Sequence, residues 1–429
     1  MHPSRRMFLQ STLAALPTMH GLSSFAAPPS RLKLPVAGIV TSMGNATHGD
    51  VIFSKITDGW LQDGGPGPDL SLLSLFVDQP QPQDRGFDLA KQHGVRLCRS
   101  IDEALTLGGD KLVVSGVLIV GEHGQYEKTI DTQQVMYPRR AFFDAVVNTF
   151  RRVGQCVPVF NDKHLSYNWE NAKHMVDTAR AMKFPLLAGS SVPVSWRVPD
   201  VSLARGCRLE ETLAIGYGGF EAYGFHALEG LQALVEMRRG GETGVARVET
   251  VTGERIWETA RSGRWSRDLF EAALNVAPRY KPGDPEKLLR PNSAWYLIEY
   301  RDGLRATIAM ANGVTDKFAF AARQPGVRPH FATQLATQDG FPTAHFANQL
   351  RAIDEIIHTG VAPYPVERTL LTTGVLHSAM LSLAEGRPIE TPYLDVRYEP
   401  TDWPHTPGKP PLPVRSDKGS IPRQSKSKS

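Results

Sequence analysis

Val157-Pro158-Val159-Phe160-Asn161-Asp162-Lys163-His164 is the stretch on which the reading of this chain turns. Pro158 to Asn161 is of strand type, Asp162 to Ser166 reads as a turn, and Tyr167 to Met182 has helical spacing. A lysine that closes a buried strand is an unusual place for a charge. Ligands of open α/β sheets bind beyond the carboxyl ends of the strands, so Lys163 stands where chemistry is expected.

The same alternation runs outward from it. Val36 to Val40, Leu70 to Val77, Leu112 to Val120 and Leu186 to Ala188 are apolar strand candidates. Between them His48 to Trp60, Phe87 to His93, Ile101 to Leu107 and Arg140 to Val153 carry helical periodicity. Continuous apolar strands separated by amphipathic helices predict an α/β domain over residues 34–195, with a doubly wound parallel sheet. After Pro199 the pattern changes. Strands are expected at Leu209 to Gly216, Val245 to Thr252, Ala294 to Tyr300, Leu304 to Ala311 and Phe318 to Ala322. Asp302-Gly303 supplies the turn of a hairpin. With helices at Ala222 to Arg238, Phe346 to His358 and Val366 to Leu383, residues 200–400 read as an α+β domain. The late helices are candidates to pack back on the first domain.

At 429 residues two domains are the expectation, and 41% hydrophobic with 21% charged residues describes a globular chain. A net charge of +4, with no basic stripe, excludes a dedicated nucleic-acid binder. Cys98, Cys156 and Cys207 have neither metal spacing nor a disulfide pattern. Residues 1–26 read as a twin-arginine signal peptide. Ser4-Arg5-Arg6-Met7-Phe8-Leu9 carries the arginines, and Ser24-Phe25-Ala26 offers the small residues of a cleavage site. The twin-arginine machinery is therefore an expected partner, and the destination is periplasmic or extracellular. The apolar stretch is too short to span a membrane, so no integral segment is expected after processing. Residues 406–429, rich in Pro, Lys and Ser, read as a disordered tail.

This order of elements, with a lysine after the fifth strand, resembles the glucose–fructose oxidoreductase / inositol dehydrogenase (Gfo/Idh/MocA) family. Asp162-Lys163-His164 stands at that family's Glu-Lys-Pro, and Tyr223-Gly224-Phe225-His226-Ala227-Leu228-Glu229 at its histidine-bearing helix. Thr359-Gly360-Val361-Ala362-Pro363 matches its Gly-x-x-Pro turn. The resemblance runs from Pro35 to Pro392. It implies a Rossmann-like nucleotide-binding domain followed by an open-faced, mostly antiparallel sheet, through which homo-oligomers form. It also implies hydride transfer between NAD or NADP and a sugar, polyol or related substrate. Export of a folded protein suits a tightly held dinucleotide. Carried over, Lys163 meets the substrate hydroxyl, and His226 is the acid/base for the proton that accompanies the hydride. Gly38, Thr41, Asp78, Glu122, His123 and Asp162 fall at cofactor-binding positions, Asp78 where an acid meets the adenosine ribose.

The chain departs from that pattern where pyrophosphate binds. Gly38 to Asp50 contains glycines but not Gly-x-Gly-x-x-Gly, and Asp50 brings a negative charge to the first helical turn. Gly121-Glu122-His123-Gly124 replaces a neutral turn, and an insertion follows with Tyr137-Pro138-Arg139-Arg140. That insertion reads as a lid or an acid-binding segment, or else its arginines are solvated first-turn residues. Taken at face value, His48, Asp50, Glu122, His123 and His164 are ligand types for a divalent metal. The alternatives to a dehydrogenase are then a metal-dependent carbohydrate lyase, isomerase or hydrolase, or a noncatalytic binding protein that has lost the dinucleotide.

Overall fold

The computed structural model describes residues 31–280 and 282–414. The twin-arginine segment and residues 415–429 lie outside them. Among the described residues no helix is long and apolar enough to cross a membrane.

The first sheet alternates with helices. In chain order it comprises β1 (Leu34–Val40), α1 (His48–Asp58), β2 (Leu70–Val77), α2 (Arg85–His93), β3 (Arg96–Cys98), α3 (Ile101–Thr106), β4 (Gly116–Val120), α4 (Arg139–Val153), β5 (Val159–Asp162), α5 (Trp169–Met182) and β6 (Leu186–Gly189). Its six strands lie in the order β3-β2-β1-β4-β5-β6, all parallel. The reversal between β1 and β4 opens a crevice at the strands' carboxyl ends. Both faces of the sheet are buried, which is why its central strands β1 and β4 are apolar runs rather than alternating. Phe142, Phe143, Val146, Met175 and Val176 cover one face, and Ile52, Phe53, Phe346, Leu350 and Ile353 cover the other. Each such side chain, fully buried, contributes roughly 1.5–3 kcal/mol.

The rest of the chain builds a second sheet. Its elements are β7 (Trp196–Val198), β8 (Glu211–Gly216), α6 (Ala222–Val235), β9 (Val245–Thr252), α7 (Glu254–Arg261), α8 (Arg267–Val276), α9 (Pro285–Leu288), β10 (Ala294–Tyr300), β11 (Arg305–Met310), β12 (Phe318–Arg323), β13 (Phe331–Ala336), α10 (His345–Thr359), α11 (Val366–Glu385) and β14 (Ile389–Glu390). The strand order is β14-β9-β10-β11-β8-β12-β13-β7, antiparallel except for the β11–β8 pair. Buried residues of α6 and α11 share one core with its inner face. Phe346, Leu350 and Ile353 of α10 pack with α1 on the first sheet instead.

Two expectations need correction. The outer face of the second sheet, expected open, carries α7 and α8. Trp257, Trp265 and Phe270 gather over Trp295 of β10, and Trp265 Nε1 donates to the Ile256 carbonyl at 2.8 Å. The start of the expected tail is also held in place. The Thr406 amide donates to Val194 O at 3.2 Å, Gly408 N to Asp200 Oδ2 at 2.8 Å and Val414 N to Phe341 O at 2.9 Å. Hydrogen bonds from its backbone fix this segment without an apolar face of its own.

Candidate active site

The site begins at the turn between β5 and α5. Lys163 takes a left-handed backbone, φ 62°, which is rare for a residue with a side chain and concentrates at functional sites. Its amide donates to the Gly189 carbonyl at 3.1 Å. Gly189, at φ 122°, has no room for a side chain, since an added Cβ would lie 2.4 Å from Glu229 Oε2. The glycine thus lets β6 and the buried Glu229 close on each other and keeps Lys163 pinned.

The Lys163 side chain turns inward and is 6% exposed. Its Nζ lies 2.8 Å from Glu122 Oε2, 3.0 Å from His48 Nε2 and 3.3 Å from His226 Nε2. His48 opens α1, its Nδ1 is 2.7 Å from Asp162 Oδ2, and its ring meets Phe346 edge-on at 4.5 Å. His226, in the second turn of α6, has Nδ1 2.6 Å from Ser190 Oγ. The pattern of partners assigns the tautomers. Asp162 accepts Nδ1–H of His48, and Ser190 Oγ accepts Nδ1–H of His226. Both imidazoles then turn an Nε2 lone pair toward the ammonium. All three of its hydrogens are engaged, by Glu122, His48 and His226. Burial, then the charge of Lys163, push His226 well below the ordinary histidine range. Burial works to raise the Glu122 carboxyl, but His48 and Lys163 hold it well below the usual carboxylate range. The cluster is a buried ion pair flanked by two proton acceptors.

The other side of the crevice is the loop before α1. Met43 N donates to Asp84 Oδ2, Ala46 N to Asp50 Oδ2 and His48 N to Glu122 Oε1, each at 2.8 Å. Asp50 also accepts from Ser54 Oγ at 3.1 Å and from Arg85 Nε at 3.2 Å. Thr41 is fully buried, and its hydroxyl donates to the Glu122 carbonyl. Gly38 lies inside β1, where an added Cβ would stand 2.8 Å from Phe53 Cζ, so it serves the packing of α1 on the sheet. Asp78 accepts from the Tyr126 hydroxyl at 2.7 Å, and Gln79 is bonded twice to Gln125, at 3.0 and 2.8 Å. The segment after β4 therefore folds over the end of β2.

The eleven residues singled out from the sequence separate accordingly. Lys163, His226, His48, Glu122 and Asp162 come together. His123, half exposed, touches the cluster through a 3.4 Å approach to Glu122. Gly38, Thr41, Asp50 and Asp78 are engaged elsewhere, as described. His164 points to a second buried group, 2.9 Å from Arg139 and 3.5 Å from Glu221. Burial, then the Arg139 guanidinium, pull it down to about 4. Arg139, for which a lid, an acid-binding role and a solvated first turn were the alternatives, is 1% exposed and fills this pocket. Asn161 Oδ1, Asp162 Oδ1, His164 Nδ1 and Ser166 Oγ are buried with no hydrogen-bond partner among the described residues. Sequence reasoning missed Ser190, Asp84 and Tyr126. Ser190 had a signal, since it follows the end of β6.

Two added groups can be tested against this geometry. His48, Glu122 and Asp162 bring ligand atoms within 4.8 Å of one another. The Lys163 ammonium, however, already sits between Glu122 and His48 and supplies the positive charge there, and Asp50 and His164 of the expected ligand set are turned away. This arrangement does not fit a divalent ion. A pyrophosphate bound as glycine-rich loops bind it needs bare amides at a helix N-terminus. Here those amides end on the chain's own carboxylates, and the ribose-type acid is taken by Tyr126. The residues present do not fit a dinucleotide in that position.

No protein-family model matches the chain, and no curated protein sequence does. Solved structures do. GenD2 from gentamicin A biosynthesis, in complex with NAD, aligns with a TM-score of 0.52 at 15% identity, over 84% of this chain and 97% of that one. A probable dehydrogenase from Thermotoga maritima gives 0.52 at 11% identity, over 84% and 100%. Scyllo-inositol dehydrogenase from Lactobacillus casei, with bound NAD(H) and scyllo-inositol, gives 0.50 at 11% identity, over 83% and 99%. At these identities the likeness establishes the fold. The chain has the two-sheet architecture of Gfo/Idh/MocA-type dehydrogenases along nearly their whole length.

Proposed function

We propose that this chain is an enzyme that moves protons on and off a sugar, polyol or related hydroxylated small molecule. One observation carries the proposal: a buried lysine, paired with Glu122, faces two imidazole lone pairs at the carboxyl ends of the sheet. Lys163 donates to the substrate oxygen and stabilises negative charge that develops there. His226, kept neutral by burial, takes the proton. His48 is oriented by Asp162 and returns or relays a proton through Lys163. The substrate class is supported by the fold, one of whose neighbours is solved with scyllo-inositol.

The oxidoreductase form of this proposal adds NAD or NADP as hydride acceptor. The dehydrogenase fold, with NAD present in two of the neighbours, supports that form, while the loop amides already bonded to Asp84, Asp50 and Glu122 oppose it. Export by the twin-arginine route, supported by Ser4 to Leu9, belongs to the same proposal. The test is proton NMR of the purified mature protein with inositols, sugars and their keto derivatives in deuterated buffer, with and without NAD(P). Conversion or carbon-bound deuterium, lost in H226N, is the expected result. A wild-type protein that binds such compounds without either change is a binding protein, and the proposal fails.

A further inference from the structure

We infer that the dinucleotide groove of this fold is closed by the chain's own side chains, and that the site works redox-neutrally on a substrate already carrying a carbonyl. The chemical half of this inference rests on the proton-transfer function proposed above; the closure rests on geometry alone.

A dinucleotide makes three demands on such a groove, and each is met here from within. Its phosphates need the amides before α1, which are bonded to Asp84, Asp50 and Glu122 at 2.8 Å. These are carboxylates in the position of the anion, and a pyrophosphate would have to displace them while adding its own charge to theirs. Its ribose needs the acid at the end of β2, which is held by Tyr126 at 2.7 Å. Its path from there toward the catalytic lysine runs past the start of α1. His48 fills that space, bridging Asp162 and Lys163. The closing groups come from α1, from the start of α2 and from the segment after β4, so no single rotamer change reopens the groove.

Without a hydride acceptor, a carbinol C–H is out of reach of any side-chain base. A C–H next to a carbonyl is not. The balanced step is then as follows. A histidine Nε2 takes the proton α to the carbonyl, and the C–H electron pair becomes the enediolate C=C bond. The carbonyl π pair moves to oxygen, where Lys163 stabilises it. Return of the proton to the same carbon gives an epimer; return to the former carbonyl carbon, with the α-hydroxyl proton passed to the former carbonyl oxygen, gives an isomer. Expulsion of a β-oxygen as hydroxide or alkoxide, protonated on leaving, gives elimination. Nothing is oxidised or reduced overall.

The test uses the intact mature protein. Denaturation and mass spectrometry read released nucleotide, calorimetric titration with NAD+ and NADP+ reads binding, and deuterium incorporation is followed with keto-inositol and with ketose and aldose sugars. The expected result is no released nucleotide, no saturable binding at millimolar NAD(P)+, and α-deuteration that H226N loses by at least tenfold. Released dinucleotide near one equivalent, or saturable binding to the wild type, overturns the closure whatever the chemistry. No nucleotide together with no deuteration or conversion of any carbonyl probe overturns the redox-neutral chemistry and the proton-transfer function with it, while the closure stands.

Discussion

On the β5 and α6 side of the crevice, Lys163 and His226 meet at 3.3 Å, at the positions the dehydrogenase resemblance assigns to the reacting groups. On the α1 side, a few ångströms away, the amides that serve phosphate in that family are bonded to Asp84, Asp50 and Glu122. One backbone supports both. The first side depends on two side chains placed at element ends, which the fold delivers automatically. The second depends on bare backbone, which any nearby carboxylate can cover. Likeness of fold therefore does not transmit the ligand of the neighbouring loop.

The sharpest way to break this contrast is at Glu122, which belongs to both sides. Lys163→Met leaves that buried carboxylate without its cation. We expect a stability loss of about 3–5 kcal/mol and activity down about 10²–10³-fold. Glu122→Gln combined with Lys163→Met restores most of the stability in urea titrations but none of the turnover. If the double variant is as unstable as the single one, the pair is not the unit described here.

A smaller effect tests the second buried group. His164 is held down to about 4, mainly by burial, while the unfolded chain takes its proton at about 6.5. The folded value is the lower one, so stability is full above about pH 6.5. It declines as the pH falls toward about 4, by roughly 3 kcal/mol in all. His164→Asn should flatten that part of the urea-midpoint profile. An unchanged slope assigns the acid sensitivity to another group.

The smallest effect belongs to the outer end of the groove. Tyr126→Phe removes one hydrogen bond to an exposed partner and should cost about 0.5–1 kcal/mol, with turnover unchanged. Asp78→Asn should behave likewise. A change in kcat for Asp78→Asn marks that carboxylate as a ligand of something the enzyme uses.

Much of this was legible in the chain. The apolar runs of β1, β2, β4 and β6 follow directly from a sheet buried on both faces, and Lys163 declared itself as a charge at a strand end. The order of Asp162-Lys163-His164 and the His226 helix carried the fold. What escaped was tertiary in origin. Asp84 has the local signature of an N-cap of α2, but its contact with an amide 41 residues earlier has none, and neither has the reach of Tyr126 to a residue 48 before it. β3 and β7 are three residues each, too short for periodicity. Ile256, Trp257 and Ala260 did carry helical spacing for α7, unread against the expectation of an open sheet. His164 reads as a ligand beside Lys163, yet neighbours in a turn point to different pockets, and only the packing of Arg139 decides which.

Lys163 has three hydrogens, and the resting protein already gives each a lone pair. A substrate oxygen that approaches it must take over one of these contacts, so the hydrogen-bond count is the same before and after binding. The protein acts as a competitor for its own lysine. Little affinity is gained from that contact in the ground state, and what distinguishes substrate from imidazole is the charge the oxygen acquires as reaction proceeds. Such a site should hold its substrate loosely and release product readily, with its selectivity expressed in turnover rather than in binding.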